Sequence, residues 1–256
     1  MDTLNQSNIT IPLLLTCVAG LATTLGSLIF LFIKKFKDSQ LVFCLGLSAG
    51  AMIYVSLIEL MRSAINDIGM LEANVYFFIG ILLMMAIDFI FPHKYLQEKS
   101  GYDPKKQSLY STGLLTAAGI AIHNFPEGMA VFASGLTNIK MGIALAIAIA
   151  AHNIPEGIAV AAPIYYATES KSRAVGWSFL SGIAEPLGAV IMILLVGHHL
   201  SETWISRIFA LVAGVMIFIC FDELLPQTFK RDYHKQAICG ILIGFILIFI
   251  SLSIPT

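Results

Sequence analysis

Residues 110–166 read YSTGLLTAAGIAIHNFPEGMAVFASGLTNIKMGIALAIAIAAHNIPEGIAVAAPIYY. Two long apolar runs follow one another here, and each carries the same polar cluster near its centre: HNFPEGMAVFAS at 123–134 and HNIPEGIAVAAP at 152–163. His, Asn, Pro, Glu, Gly, Ala, Val and Ala recur in register, which chance similarity between apolar segments does not produce. About 20 apolar residues cross the hydrocarbon core of a bilayer as a helix. The stretch therefore predicts two consecutive, antiparallel membrane helices with ionisable residues at mid-membrane.

The rest of the chain agrees. Of its 256 residues, 57% are hydrophobic and 12% charged, against roughly a quarter charged in an ordinary soluble domain. Spans are expected near 9–33, 40–61, 73–91, 110–136, 139–166, 174–197, 207–227 and 237–254. Long Gly- and Ala-rich apolar runs exclude a β-barrel, whose strands alternate over about ten residues. The expected class is an all-α integral membrane protein of eight transmembrane helices forming one domain over 1–256, with a polar cytoplasmic loop at about 92–109. Residues 9–33 are too long for a signal-peptide core and follow no positive segment, so they read as an uncleaved first helix.

Charge gives the orientation. Twelve Lys and Arg (Lys34, Lys35, Lys37, Lys94, Lys99, Lys105, Lys106, Lys171, Arg173, Lys230, Arg231 and Lys235) fall on one side, and only Arg62, Lys140 and Arg207 on the other. The positive-inside rule then puts both termini outside the cytoplasm. A net charge of −1, with no basic cluster interleaved with aromatics, sets nucleic acid aside as a partner. Cys17, Cys44, Cys220 and Cys239 stand singly in apolar stretches, which suggests buried thiols and neither disulfides nor a thiolate metal site.

A second echo relates AGAMIYVSLIEL at 49–60 to AGVMIFICFDEL at 213–224. In both repeat pairs the members lie an odd number of spans apart, so they run in opposite directions, as inverted-topology transporter repeats do.

His123 and Glu127 are four residues apart, so a helix projects them from one face, and His152 and Glu156 repeat this. Glu185 adds a third carboxylate at mid-span, and no Lys or Arg lies near the middle of any span. An ionisable group at that depth costs about 2.5–3.5 kcal/mol on insertion scales. A mobile cation is the missing counter-charge. Mixed imidazole and carboxylate donors suit Zn²⁺, Fe²⁺, Co²⁺ or Mn²⁺, whereas Cu⁺ selects thiolates and Mg²⁺ selects oxygen alone. Asn124 and Asn153 point about 100° away from their histidines and could serve a second ion, bridged by Glu127 and Glu156. Pro126, Pro155 and Pro186, each beside one of the carboxylates, are expected to kink or open their helices, as at the midplane sites of transporters.

Plainer roles are expected elsewhere. Asp88 reads as a boundary or packing acid, and His198, His199 and Glu202 as solvated loop residues. Glu59 and Glu223 end the second repeat and read as solvated helix ends, or as stations on a route to the site. A metalloenzyme is the alternative use of paired His and Glu. No HExxH, nucleophile elbow or cofactor fingerprint accompanies them.

Paired HN-x-PEG motifs on consecutive membrane helices resemble the ZIP (Zrt/Irt-like) family of metal transporters, and the chain length resembles its bacterial ZupT branch. The resemblance covers essentially the whole chain. It implies a primary metal site of His123, Glu127, His152 and Glu156, with Asn124, Asn153 and Glu185 joining the glutamates around a second ion. It also implies a 3+2+3 helix arrangement with spans 1–3 inverted onto 6–8, a homodimer in the cell membrane, and no enzymatic activity. Spans 1, 4, 5 and 6 would move as an elevator against the others, carrying Zn²⁺, Fe²⁺, Mn²⁺, Co²⁺ or Cd²⁺ into the cytoplasm. The loop between spans 3 and 4 is often His-rich in the family; here it holds only His93, so metal sensing by that loop is not expected.

Overall fold

A computed structural model describes residues 9–33, 37–90, 104–196, 201–229 and 232–253. Every regular element among them is helical. In order these are α1 (Thr10–Phe32), α2 (Asp38–Tyr54), a π-helical turn π1 (Val55–Leu60), α3 (Met61–Ile68), α4 (Met70–Ile90), α5 (Pro104–Thr137) and α6 (Ile139–Thr168). Then follow α7 (Lys171–Gly182), α8 (Ala184–Val196), α9 (Glu202–Ile219), a second π-helical turn π2 (Cys220–Leu224), α10 (Leu225–Phe229) and α11 (His234–Ser253).

Seven helical stretches among the described residues are long and apolar enough to cross a membrane: Thr10–Phe32, Asp38–Ile68, Met70–Ile87, Ile139–Thr168, Lys171–Leu194, Thr203–Phe229 and His234–Ser253. α5 is not among them, because its 34 residues mix HNFPE and a polar first turn with apolar ones. The interior is mostly apolar but encloses a polar cluster, and the outer surface is apolar. His123, Glu127, His152, Glu156 and Glu185 are fully buried, while Leu14 and Leu21 of α1, Phe78 and Leu82 of α4 and Leu242 and Phe249 of α11 are exposed. Such a surface is costly in water and suits lipid.

Several elements depart from the sequence expectation. The helix begun by α2 continues through π1 and α3 to Ile68, and Gly69 alone turns the chain into α4. Gly69 takes φ +81°, which its missing Cβ allows. Pro126 and Pro155 do not interrupt α5 and α6, which run through them as single helices. Only Pro186 sits at a break, between α7 and α8 at Ile183. There the proline occupies the first turn of the new helix, where a missing N–H is tolerated. α5 already begins at Pro104, within the expected 92–109 loop; residues 92–103 of that loop lie outside the described residues.

Asn138 is the whole connection between α5 and α6. Its side chain caps α6 by accepting from the backbone N–H of Lys140 and Met141 at 3.0 and 3.3 Å, satisfying donors that a helix start leaves open. The two motif helices are thus locked as an antiparallel hairpin. At its far end, Lys106 of α5 reaches Glu169, just past α6, at 2.7 Å; the ammonium holds that carboxyl below its ordinary range.

Packing sorts the helices into two bodies, the second held together by the continuous α2–π1–α3 helix, which joins the α2–α11 pair to the α4–α9 pair. One contains α1, α5, α6, α7 and α8. A Cβ at Gly157 of α6 would collide with the Thr23 carbonyl of α1. The other contains α2, α3, α4, α9 and α11, and a Cβ at Gly50 of α2 would collide with the Ile241 carbonyl of α11. Within this second body α2 packs on α11 and α9 packs on α4. The bodies meet mainly where α2 and α11 face α6, and where α9 faces α5.

Candidate metal centre

The centre follows from placing one motif on two antiparallel helices. His and Glu four residues apart share a helix face. Reversing the second helix sets each His level with the other copy's Glu. His123 Nε2 lies 3.1 Å from Glu156 Oε2, and His152 Nε2 lies 3.3 and 3.4 Å from the two oxygens of Glu127. All four side chains are fully buried, and among the described residues no Lys or Arg is buried with them.

The asparagines are anchored differently. Asn124 donates its amide to the Ser181 carbonyl of α7 at 3.2 Å. Asn153 donates to the Ala19 carbonyl of α1 at 3.0 Å and also to the carboxylate of Glu185. Glu185 stands in the first turn of α8, where the positive end of the helix favours a negative charge. Through Asn153, Glu185 is tied to the α6 motif that carries Glu156.

Six donor atoms in this cluster have no hydrogen-bond partner: Nδ1 of His123 and His152, Oδ1 of Asn124 and Asn153, Oε1 of Glu156 and Oε2 of Glu185. A buried polar atom left without a partner costs about 1–3 kcal/mol, so their concentration here makes this cluster the candidate for a ligand site. The donors divide by chemistry into an imidazole and carboxylate set and an all-oxygen set of Asn and Glu.

Two atoms each about 2.0–2.1 Å from a tetrahedral zinc ion lie about 3.3 Å apart. The crossed His–Glu separations already have this size. A zinc ion could therefore replace the shared proton between each nitrogen and oxygen with little movement. Among the described residues, no three His, Cys, Asp or Glu donors are closed around one point; each imidazole is engaged by the opposite carboxylate.

Residues beyond the motif also reach the centre. Ser48 of α2 donates to the His152 carbonyl at 3.1 Å, and the Glu223 carboxylate, in π2, lies against α5 at Gly119, one turn before His123. In the sequence Glu223 reads as a solvated helix end or as a station on a route to the site, and Ser48 carries no signal beyond preceding Ala49-Gly50. Glu59, in π1, is half-buried near Arg62. Cys220 is buried and Cys17 and Cys44 are half-buried, but Cys239 is exposed on the apolar surface. His198 and His199, and the side chains of Asp88 and Glu202, lie outside the described residues.

Fold and site together define a polytopic helical membrane protein with an acidic and imidazole-bearing centre buried between two motif helices. The ZIP zinc transporter family profile matches residues 91–252, and the chain belongs to that family, a family of transporters and not of enzymes. It is 41% identical to a zinc transporter ZupT of Akkermansia muciniphila over 97% of this chain and 99% of that one. It is 44% identical to zinc transporters ZupT of Oceanobacillus iheyensis, over 96% of this chain and 98% of that one, and of Streptococcus mutans, over 93% and 95%.

Proposed function

We propose that this protein carries Zn²⁺ across the cell membrane into the cytoplasm, through a primary site of His123, Glu127, His152 and Glu156. Fe²⁺, Mn²⁺, Co²⁺ and Cd²⁺ are further substrates, since nothing in a mixed nitrogen and oxygen donor set selects sharply among borderline divalent ions. Asn124, Asn153 and Glu185, with the two motif glutamates, hold a second ion. The observation that carries this reading is the crossed pairing of two buried imidazoles with two buried carboxylates at the separation of zinc ligands. The named function of the relatives supports zinc as cargo.

In this reading α5 is the eighth span. At about 1.5 Å per residue, its 34 residues exceed the bilayer core, and the polarity that lowers its hydropathy belongs to the site. Spans 1–3 and 6–8 then flank the central hairpin in a 3+2+3 order. The matched pairings of α2 with α11 and of α9 with α4 support their inversion, because each joins one member of the second repeat to a neighbouring span. Both termini lie outside the cytoplasm, on the side with few positive charges. The site belongs almost wholly to the body of α1 and α5–α8, which moves against the other body to expose it on either side; the protein works as a homodimer.

The test is uptake of Zn²⁺, Mn²⁺ and Fe²⁺ into proteoliposomes holding a metal-sensitive dye. Saturable uptake that His152→Ala abolishes is expected. Uptake no greater than that of empty liposomes, from correctly inserted protein, overturns the reading.

A further inference from the structure

Two hydroxyl groups of the second body donate to backbone carbonyls of α6, and they differ in where they land. Ser251 of α11 donates to the Ala144 carbonyl at 3.0 Å, and Ser48 of α2 to the His152 carbonyl at 3.1 Å. Eight residues separate the acceptors, about 12 Å along a helix. Ser251 therefore docks α6 at a distance from the centre, whereas Ser48 docks it at a site residue. Both serines are buried.

The turn that Ser48 meets is a weakened one. Pro155 has no N–H to give to the Ala151 carbonyl, so the turn bearing His152 and leading to Glu156 lacks one of its rungs. The α5 turn weakened by Pro126 is tied within its own body, by Asn124 to the Ser181 carbonyl and by the Ser181 hydroxyl to the Ala117 carbonyl at 2.7 Å. The α6 turn has the matching tie from Asn153 to Ala19, and in addition a tie to the opposite body.

We propose that Ser48 is a positioning residue of the metal site: by holding the His152 carbonyl from the opposite body, it sets the His152–Glu156 turn in the geometry that receives the ion. Ion affinity is then tied to the docking of the two bodies, and falls when α6 moves away from α2. The inference rests on the metal-site reading above.

The experiment measures Zn²⁺ affinity of the purified full-length protein against a fluorescent chelator, together with KM and maximal rate of uptake in proteoliposomes. It compares wild type, Ser48→Ala, Ser251→Ala and His152→Ala. Ser48→Ala should weaken binding and raise KM about two- to tenfold, the size of one lost hydrogen bond, while Ser251→Ala leaves both unchanged. Ser48→Gly removes the same hydroxyl and replaces Ser48→Ala if that variant fails to assemble. Unchanged affinity without the Ser48 hydroxyl overturns the proposal, as does an equal loss in Ser251→Ala, which would reduce Ser48 to general docking. Wild type that binds no Zn²⁺, or His152→Ala that binds as wild type does, overturns the metal-site reading, and this inference falls with it.

Discussion

The Glu223 carboxylate occupies the space that a side chain at Gly119 would fill, where α5 meets the π-helical turn after α9. One body thus inserts an acid into a notch in the other, one turn of α5 before His123. Gly119→Ala must push that carboxylate aside, and because it is the far end of a flexible side chain the cost should be small, about 1 kcal/mol or less. Glu223→Ala in the same chain should recover part of the loss. Thermal unfolding of the two single variants and the double variant measures the coupling; additive shifts would mean that the two residues do not compete for this space.

The crossed pairs predict symmetric losses. His123→Ala strips Glu156 of its imidazole, and His152→Ala strips Glu127. Each leaves a buried carboxylate short of a partner, at about 1–3 kcal/mol. Both variants should melt below the wild type without metal, and neither should be stabilised by added Zn²⁺ as the wild type is. A variant that keeps the full zinc-induced shift would remove its histidine from the ligand set.

Acid should oppose uptake. Protons and M²⁺ compete for the same imidazole nitrogen, so lowering the pH on the side from which the ion arrives fills the site with protons and weakens binding. Uptake should therefore decline as the outside solution is acidified. A pH series with the inside buffered reads this directly, and a flat profile down to about pH 5 would speak against histidine ligation.

Glycine substitutions should separate packing from propensity. Gly157→Ala drives a Cβ into the Thr23 carbonyl and should prevent α1 from seating on α6, with loss of folded protein in size-exclusion profiles. Gly176 of α7 has open space around its missing Cβ, so Gly176→Ala should be neutral or stabilise by about 0.5–1 kcal/mol through helix propensity. Equal damage from both would show that the close crossing is not what Gly157 serves.

The juxtaposition at the core of the candidate site was legible because its geometry is local. Four-residue spacing puts His123 with Glu127 and His152 with Glu156 on single helix faces, and two repeats on consecutive spans set them antiparallel. Fully buried Asn124, Asn153 and Glu185 join them for the same reason, each being fixed by its depth in a span. What escaped the sequence depends on packing between distant helices or on irregular turns. Ser48 meets His152 across 104 positions, and no local pattern encodes that approach. π1 and π2 each widen a helical turn, so side chains beyond them leave the 3.6-residue register that a sequence reading assumes. Glu223 faces Gly119 from within such a turn. The single-residue turn at Gly69 was missed because a polar stretch was read as a loop, where Arg62, Asn66 and Asp67 in fact continue the helix.

The crossed hydrogen bonds also bear on how tightly the ion is held. A cage built open for its ion gains the whole of the coordination energy when it fills, and releases the ion slowly. Here each imidazole is engaged by the opposite carboxylate, so on the proposed reading loading exchanges those two hydrogen-bonded pairings for ligand bonds, and affinity is lower by what the pairings contribute. On the same reading the cargo is let go on the far side of the membrane as the motif glutamates Glu127 and Glu156 regain their imidazole partners in the apolar interior.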